Sequence, residues 1–186
     1  MDNEITSIVV VESDQNGIKP VTYELLNAAR KLNDNGKIIA LFFTDLENVD
    51  EPSLSHYGAD EIRICIHPAY HQYTHETYAV GLQSEIEKIQ PDIVLMPASN
   101  SGKELSAVVA TRLGVVLASD CIELQRSEEG EVTIKRPVFA GKAYSLCKLS
   151  GPKPYLITLR PNCFRGEGAD ESRTSETTKI KISLPD

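Results

Sequence analysis

The sequence lacks an excess of basic residues: 19 lysines and arginines stand against 27 aspartates and glutamates, and the net charge is −8. This balance argues against general binding to nucleic acid or to anionic membranes. The chain also lacks an apolar run of transmembrane length, and its acidic start, MDNEITSIVVVE, is neither a signal peptide nor a transit peptide. We therefore expect a cytoplasmic protein with no nucleic-acid partner and no membrane insertion.

Cysteine is scarce, and no two cysteines have the C-x-x-C spacing of metal or redox sites. Cys65, Cys121 and Cys147 fall in apolar runs, and Cys163 is the fourth. We expect reduced thiols that pack as small apolar side chains. No Ser-His-Asp set, nucleophile elbow or paired-carboxylate motif stands out, so we predict no catalytic residue and no enzyme activity.

Residues 93–120, IVLMPASNSGKELSAVVATRLGVVLASD, are the most informative stretch. The first four form an apolar run typical of a strand buried on both faces, and Pro97 ends it. A loop of small residues over 98–102 precedes a helix, and Gly114 suits a left-handed cap. The buried side chains expected on the helix are Leu105, Val108, Val109 and Leu113. Strand, loop, helix and strand form the repeating unit of an open parallel sheet.

The loop before this helix admits two interpretations. It could hold the phosphate of AMP or ATP at the helix N-terminus, where a lysine adds positive charge. The candidate nucleotide-binding residues are Ser99, Ser101, Gly102 and Lys103. Alternatively, Ser101 and Glu104 form a capping box, which satisfies backbone N–H groups and brings a carboxylate that repels phosphate. The loop does not match a Walker loop, so capping is favoured and the four residues are a candidate vestigial nucleotide loop.

The first half of the chain alternates strands with helices. The predicted strands cover residues 7–11, 37–43, 61–66 and 93–96. One helix begins at Pro20, and the others cover 51–57 and 74–90. This alternation predicts a parallel sheet with right-handed crossovers. A length of 186 residues suits one domain with a sizeable core.

The second half predicts mainly antiparallel strands, which we expect to extend the same sheet. They cover residues 121–125, 131–137, 143–149 and 155–160. Residues 166–179 are polar and are typical of a linker or an exposed loop, and residues 179–184 predict a last edge strand. The predicted fold class is α/β, a three-layer Rossmann-like arrangement with a mostly parallel sheet and added antiparallel strands.

His67, His71 and His75 are spaced by four, which on one continuous helix would bring three zinc ligands to one face. However, Pro68 disfavours helix at the residue before it. No acidic residue or cysteine at motif spacing completes the ligand set. An exposed histidine-rich loop is favoured, and no metal site is predicted.

Tyr70, Tyr73 and Tyr78 flank these histidines. Clustered tyrosines can mark a protein interface. Tyrosines that cap the core between a helix and a sheet are an equally common cause of such a cluster.

Arg136, Lys142 and Arg160 lie in the motifs RPVFAGK and LRPN. They could bind an anion or a carboxylate near the loop after the central strand. The favoured interpretation is that the arginines form ion pairs with carboxylates of this acidic chain.

Three separated segments resemble the signature segments of the electron transfer flavoprotein alpha subunit family. They are PDIVLMPASNSGKELSAVVATRLGVVLASD, KRPVFAGKA and TLRPNCF. The opening IVVVESDQNGIKPVTYELLNAARKL and the segment YGADEI resemble the same family in the same order. The resemblance covers about residues 8–164, although Val108 and Val109 stand where the family often has a Pro-Arg pair.

The resemblance implies that residues 1–165 form an N-terminal α/β domain similar to adenine nucleotide alpha hydrolases. Residues 166–186 would be a linker or edge strand that leads to a missing C-terminal FAD domain. In the family, this domain packs against the beta subunit, which holds AMP, and the two form a base for the FAD domain. FAD is therefore expected in the full-length heterodimer and not in this chain by itself. The flavin would take electrons from acyl-CoA or other dehydrogenases and pass them to an acceptor such as a quinone oxidoreductase.

Overall fold

A computed structural model describes residues 4–32, 35–47, 51–166 and 168–184. Within these ranges the strands are β1 Thr6–Val10, β2 Ser13–Asp14, β3 Gly17–Ile18, β4 Lys37–Thr44, β5 Glu61–Ile66, β6 Ile93–Pro97, β7 Leu117–Cys121, β8 Glu123–Arg126, β9 Val132–Val138, β10 Ala143–Lys148, β11 Tyr155–Leu159 and β12 Glu176–Lys181. The α-helices are α1 Pro20–Leu32, α2 Pro52–His56, α3 His75–Ile89 and α4 Asn100–Leu113. Short 3-10 helices cover Pro68–His71 and Phe139–Gly141.

Seven strands form a central sheet in the order β12-β5-β4-β1-β6-β11-β7, and every pairing in it is parallel. One face packs on α1 and α2 through a core that includes Leu25 and Leu54. The other face packs on α3 and α4 through a core that includes Leu82 and Val109. This coverage explains why the central strands are apolar throughout. The predicted α/β, three-layer Rossmann-like class is confirmed.

The antiparallel strands form a sheet of their own in the order β10-β9-β8, instead of extending the central one. Val132 and Ile134 on its inner face join the core on the side of α1. The prediction that residues 155–160 add an antiparallel strand is wrong, because β11 lies between β6 and β7 in parallel register. Its sequence YLITL is buried at four of five positions, as expected for a central parallel strand.

The last strand, β12, begins earlier than predicted and pairs in parallel with β5 at the edge of the central sheet. The segment before it is attached to the body of the domain. Asp170 donates its N–H to the His56 carbonyl oxygen at 2.9 Å, and Arg173 pairs with Asp60 at 3.0 Å. The Ser175 hydroxyl donates to the Ala59 carbonyl oxygen at 2.7 Å. Residue 167 and residues 185–186 of the predicted linker lie outside the described ranges, and the division of the chain at residue 165 stays a prediction.

The cysteines largely follow the sequence prediction. Cys65 and Cys121 are buried, Cys147 is partly buried and Cys163 is exposed, and all four thiols are free. Burial raises the pKa of the Cys65 thiol and of the Cys121 thiol to about 12. The two buried thiols are therefore protonated at neutral pH and act as small apolar side chains. Across the described ranges, no helix is long and apolar enough to cross a lipid bilayer.

Candidate functional site

The sheet order creates a crevice at the carboxyl ends of β1 and β6. From β1 the chain continues to β4 and β5 on one side and then crosses to β6 on the other side. The loops that follow β1 and β6 therefore diverge, and ligands of open parallel sheets bind where this happens. This geometry places the predicted nucleotide loop, residues 98–102, at the position that the fold makes available to a ligand.

Ser99 caps α4, and Ser101 does not. The Ser99 hydroxyl oxygen accepts the Gly102 N–H at 3.0 Å, and Ser99 itself has extended backbone angles. Ser101 lies inside the first turn of the helix, which begins at Asn100. The predicted capping box of Ser101 and Glu104 is therefore wrong, because the N-cap is Ser99 and the helix starts two residues earlier than the motif requires.

Gly102 is required by the approach of the helix to the strand before it. A Cβ atom at this position would lie 2.0 Å from the Pro97 carbonyl oxygen, and that oxygen belongs to the backbone and has little room to move. The glycine therefore has a packing role that accounts for it without a phosphate group.

Tyr73 covers the crevice from the segment between β5 and α3. Its hydroxyl donates to the Ser101 carbonyl oxygen at 3.0 Å. Burial together with the nearby Glu104 carboxylate raises the pKa of Tyr73 well above its ordinary value, and Glu12 contributes as well. The mouth of the crevice therefore carries carboxylates and a protonated tyrosine, a poor environment for a phosphate.

Lys103 is directed toward Asp120 at the carboxyl end of β7. Its Nζ lies 3.9 Å from the Asp120 Oδ1, and Arg160 makes two bonds to the same carboxylate, at 3.0 and 2.6 Å. The Arg160 hydrogen bonds lower the pKa of Asp120, and Lys103 lowers it further. Arg160 thus forms the internal ion pair that the sequence favoured. Arg136 is half-buried on β9, and Lys142 is exposed at the end of the β9–β10 turn.

The four predicted nucleotide ligands thus have other contacts or packing roles inside the protein. Ser99 caps the helix, Ser101 accepts from Tyr73, and Gly102 makes room for Pro97. Lys103 faces a carboxylate. Nucleotide binding by these residues stays a prediction.

The three histidines do not share a helix. His67 precedes the 3-10 helix Pro68–His71 and accepts the Ala69 N–H at its Nδ1, and His75 begins α3. His71 lies 2.9 Å from Asp45, and the His75 Nδ1 lies 3.4 Å from Glu104. Each ring therefore has a different partner. Among the described residues, no three His, Cys, Asp or Glu side chains are grouped so that they could hold a metal ion.

The tyrosines near these histidines cap the core between α3 and the sheet. Tyr70 is buried, and its ring lies 5.1 Å from the ring of Phe43 and 4.9 Å from that of Tyr78. The Tyr73 ring lies 5.0 Å from that of Tyr78. For Tyr70, the interpretation as a cap on the core is therefore the right one, and the interpretation as part of a protein interface is not.

The sequence reasoning missed the exposed apolar side chains of the β9–β10 hairpin. Phe139, Tyr144 and Leu146 are 80%, 59% and 76% exposed. The alternation of apolar and polar residues in β9 already indicated that one face of this hairpin is exposed to solvent. Apolar residues on the same face of β10, whose sequence is AYSLCK, could have indicated a contact surface.

Comparison with known proteins agrees with the resemblance drawn from the sequence. The family model described as the electron transfer flavoprotein domain matches residues 7–185. The chain belongs to this family. It is 31% identical over 179 residues to the electron transfer flavoprotein subunit alpha of Bacillus subtilis, covering 96% of this chain and 54% of that protein.

Other relatives in the electron transfer flavoprotein family carry different names. Protein FixB of Azotobacter vinelandii is 31% identical, with 95% of this chain and 51% of that protein covered. Subunit LctC of the lactate dehydrogenase (NAD(+),ferredoxin) of Acetobacterium woodii is 32% identical, with 84% and 38% covered. The chain thus spans about half the length of the curated relatives it matches.

Proposed function

We propose that this chain is the N-terminal domain of an electron transfer flavoprotein alpha subunit and serves as a scaffold and as an interface for the beta subunit. The observation that carries the proposal is the exposed apolar face of the three-stranded sheet. We call Phe139, Tyr144 and Leu146 the hairpin surface.

The hairpin surface lies opposite the side of the sheet that joins the core. Ile134 on β9 points inward and is 2% exposed, whereas Tyr144 pairs with Pro137 and Leu146 with Lys135 on the outer face. Strand geometry alternates the two faces, so the outer side chains cannot reach the core. Several large apolar side chains exposed on one hairpin are typical of an interaction site.

The tip of the hairpin holds an unusual backbone. Phe139 and Ala140 have φ angles of +51° and +55°, and Gly141 has +83°. Two consecutive residues other than glycine in this region cost about 1–2 kcal/mol each. The strained turn projects the Phe139 ring into solvent, and such strain is found mainly at binding and catalytic sites.

The edge of the hairpin offers a second mode of contact. β10 is the outer strand of its sheet and pairs with β9 on one side. No other strand of the described residues pairs with its free side. A partner strand could therefore add to this edge through backbone hydrogen bonds while its apolar side chains contact the hairpin surface.

In the assembled heterodimer, this domain would support electron flow from acyl-CoA or other dehydrogenases to an acceptor such as a quinone oxidoreductase, in the cytoplasm. The chain would contribute no catalytic residue. FAD would be held by the heterodimer and not by this chain by itself. Support for this role comes from the family membership and from the internal contacts made by the residues at the sheet crevice.

Flavin content tests the assignment of FAD to the heterodimer. The purified chain, denatured to release any ligand, should show little flavin fluorescence. A stoichiometric amount of flavin bound to the chain would contradict this part of the proposal.

Substitution of the hairpin surface tests the interface. Phe139→Ser combined with Leu146→Ser should weaken binding of the beta subunit at least about tenfold, because central apolar side chains dominate interface energies. Leu46→Ser is the matched control, since Leu46 is 59% exposed and lies outside the hairpin. Titration calorimetry measures both. Equal affinities of the two variants would contradict the proposed interface.

The alternative function is an AMP- or ATP-binding module that uses Ser99, Ser101, Gly102 and Lys103. Its support is the position of these residues at the crevice of the sheet. Calorimetry with AMP separates it from the scaffold role. Saturable heat that disappears in Lys103→Met would favour the nucleotide module, and the scaffold role predicts no heat.

A further inference from the structure

A cavity of about 540 Å³ opens at the carboxyl end of the central sheet, beside the end of β4. The β2–β3 hairpin forms one wall, and the end of β4 forms the floor. The 3-10 helix Pro68–His71 and the start of α3 form the opposite wall. Its volume falls in the range of small-molecule sites in proteins, roughly 300–1,000 Å³. Neither the proposed scaffold role nor the hairpin surface uses it.

One wall of this cavity is aromatic. Phe43, Tyr70, Tyr73 and Tyr78 all line it. The Phe43 ring lies 5.3 Å from the Tyr78 ring, which in turn lies 5.0 Å from the Tyr73 ring. Phe43 and Tyr70 are each 4% exposed, so the rings of this wall that a ligand could contact are mainly those of Tyr73 and Tyr78. Aromatic rings carry negative charge density on their faces and attract organic cations.

The charged side chains of the cavity are acidic. Asp14, Asp45 and Glu51 line it, and no lysine or arginine does so among the residues described. Of the described residues that line the cavity, His71 is the one basic group, and its side chain is 83% exposed and lies 2.9 Å from Asp45. A phosphate or carboxylate ligand would meet repulsion here, whereas an ammonium or guanidinium group would find carboxylate acceptors.

We propose that this cavity binds a small organic cation, with an amine or guanidinium group at the carboxylates and an aliphatic stem along the tyrosine wall. Two independent features favour this class of ligand. The aromatic wall selects for positive charge without hydrogen bonds, and the carboxylates select for N–H donors. The inference is independent of the proposed scaffold role.

Agmatine is a suitable probe because it carries a guanidinium at one end and an amine at the other. At physiological ionic strength, calorimetry should show saturable binding of one agmatine per chain. AMP should not compete for the site. Absence of saturable agmatine binding, or competition by AMP, would overturn the proposal.

Two isosteric variants locate the binding. Asp45→Asn should weaken agmatine binding about fivefold, and Asp14→Asn combined with Asp45→Asn at least about tenfold, because each lost ion pair contributes up to about 1 kcal/mol. Asp14→Asn on its own should weaken agmatine binding less than the double variant does, and circular dichroism of all three variants guards against a folding defect.

Glu128→Gln is the control for net charge, since this exposed carboxylate lies in the β8–β9 turn, far from the cavity lining. It should leave agmatine affinity unchanged. Equal weakening by Glu128→Gln and Asp45→Asn would show diffuse attraction to an acidic protein and would contradict a defined site.

Discussion

The central sheet and the β9–β10 hairpin place leucine side chains in opposite surroundings. Leu95 in the middle of β6 is 0% exposed between two helix layers, whereas Leu146 on β10 is 76% exposed. Residues on a covered parallel sheet are selected for packing, and an exposed apolar residue on a strand contributes little to the stability of the free domain. The contrast agrees with our proposal that the buried core stabilises the domain and that the outer face of the three-stranded sheet contacts the beta subunit.

The largest expected effect comes from truncating a leucine in each region. Leu95→Ala should lower the free energy of unfolding by about 3 kcal/mol, because it removes buried methyl groups and leaves a cavity. Leu146→Ala should change it by less than about 0.5 kcal/mol. Urea denaturation followed by circular dichroism measures both. Similar losses of unfolding free energy in the two variants would contradict the proposed difference between the two regions.

Buried and exposed ion pairs should also differ in their contribution to the unfolding free energy, by less than the two leucines do. Glu85 on α3 is 0% exposed and pairs with Arg63 at 3.0 Å and with Lys88 at 2.8 Å. Arg63→Met should cost about 2 kcal/mol of unfolding free energy, because Glu85 keeps only Lys88 as a partner and the buried Glu61 also loses its pair with Arg63. The exposed pair of Lys135 and Glu123 supplies the control. Lys135→Met should lower the unfolding free energy by less than Arg63→Met does in the same urea titration, and a larger loss in Lys135→Met would contradict the account.

Two serines at the N-terminus of α4 should differ in the same way, because only one of them caps the helix. Ser99→Ala should lower the unfolding free energy by about 1 kcal/mol, because the Gly102 N–H loses its acceptor. Ser101→Ala should have little effect, since its side chain does not cap the helix. Thermal unfolding of the two variants measures the difference. A larger loss of stability in Ser101→Ala than in Ser99→Ala would support the capping box predicted from the sequence.

The smallest effect concerns pH and the Asp120–Arg160 pair. The Arg160 hydrogen bonds hold the pKa of Asp120 below its ordinary value of 3.8. A carboxyl with a lowered pKa in the folded state stabilises the fold above its unfolded pKa, and that stabilisation is lost as the pH falls through the folded pKa.

Asp120→Asn should therefore cost less than about 1 kcal/mol at neutral pH, and the difference from wild type should shrink as the pH falls below about 4. Asparagine suits the φ of +61° at this position, so the substitution isolates the charge. Urea titrations across the pH range check the trend, and a difference that grows at low pH would contradict the assignment.

The elements of the central sheet could be predicted from local pattern alone. β5 has the predicted bounds of 61–66, α1 begins at Pro20, and Gly114 ends α4 with a φ of +65°. Each of these boundaries follows from the spacing of apolar residues or from the backbone preference of a single proline or glycine, and both can be read from the local sequence.

Strand partners could not be predicted in the same way, because pairing depends on residues far apart in the chain. β11 was expected to be antiparallel, although its continuous apolar run is typical of a central parallel strand. The cap of α4 was expected at Ser101 and lies at Ser99, because the sequence pattern does not show which of the two hydroxyls faces the Gly102 N–H. The hairpin surface was missed because exposure of an apolar strand residue depends on whether a second layer covers it.

Hydrogen–deuterium exchange with and without the beta subunit tests the central claim most directly. Binding through the hairpin surface should slow amide exchange over residues 138–148, while residues 99–104 at the start of α4 keep the rates of the free chain. Protection of residues 99–104 with no change over the hairpin would contradict the account.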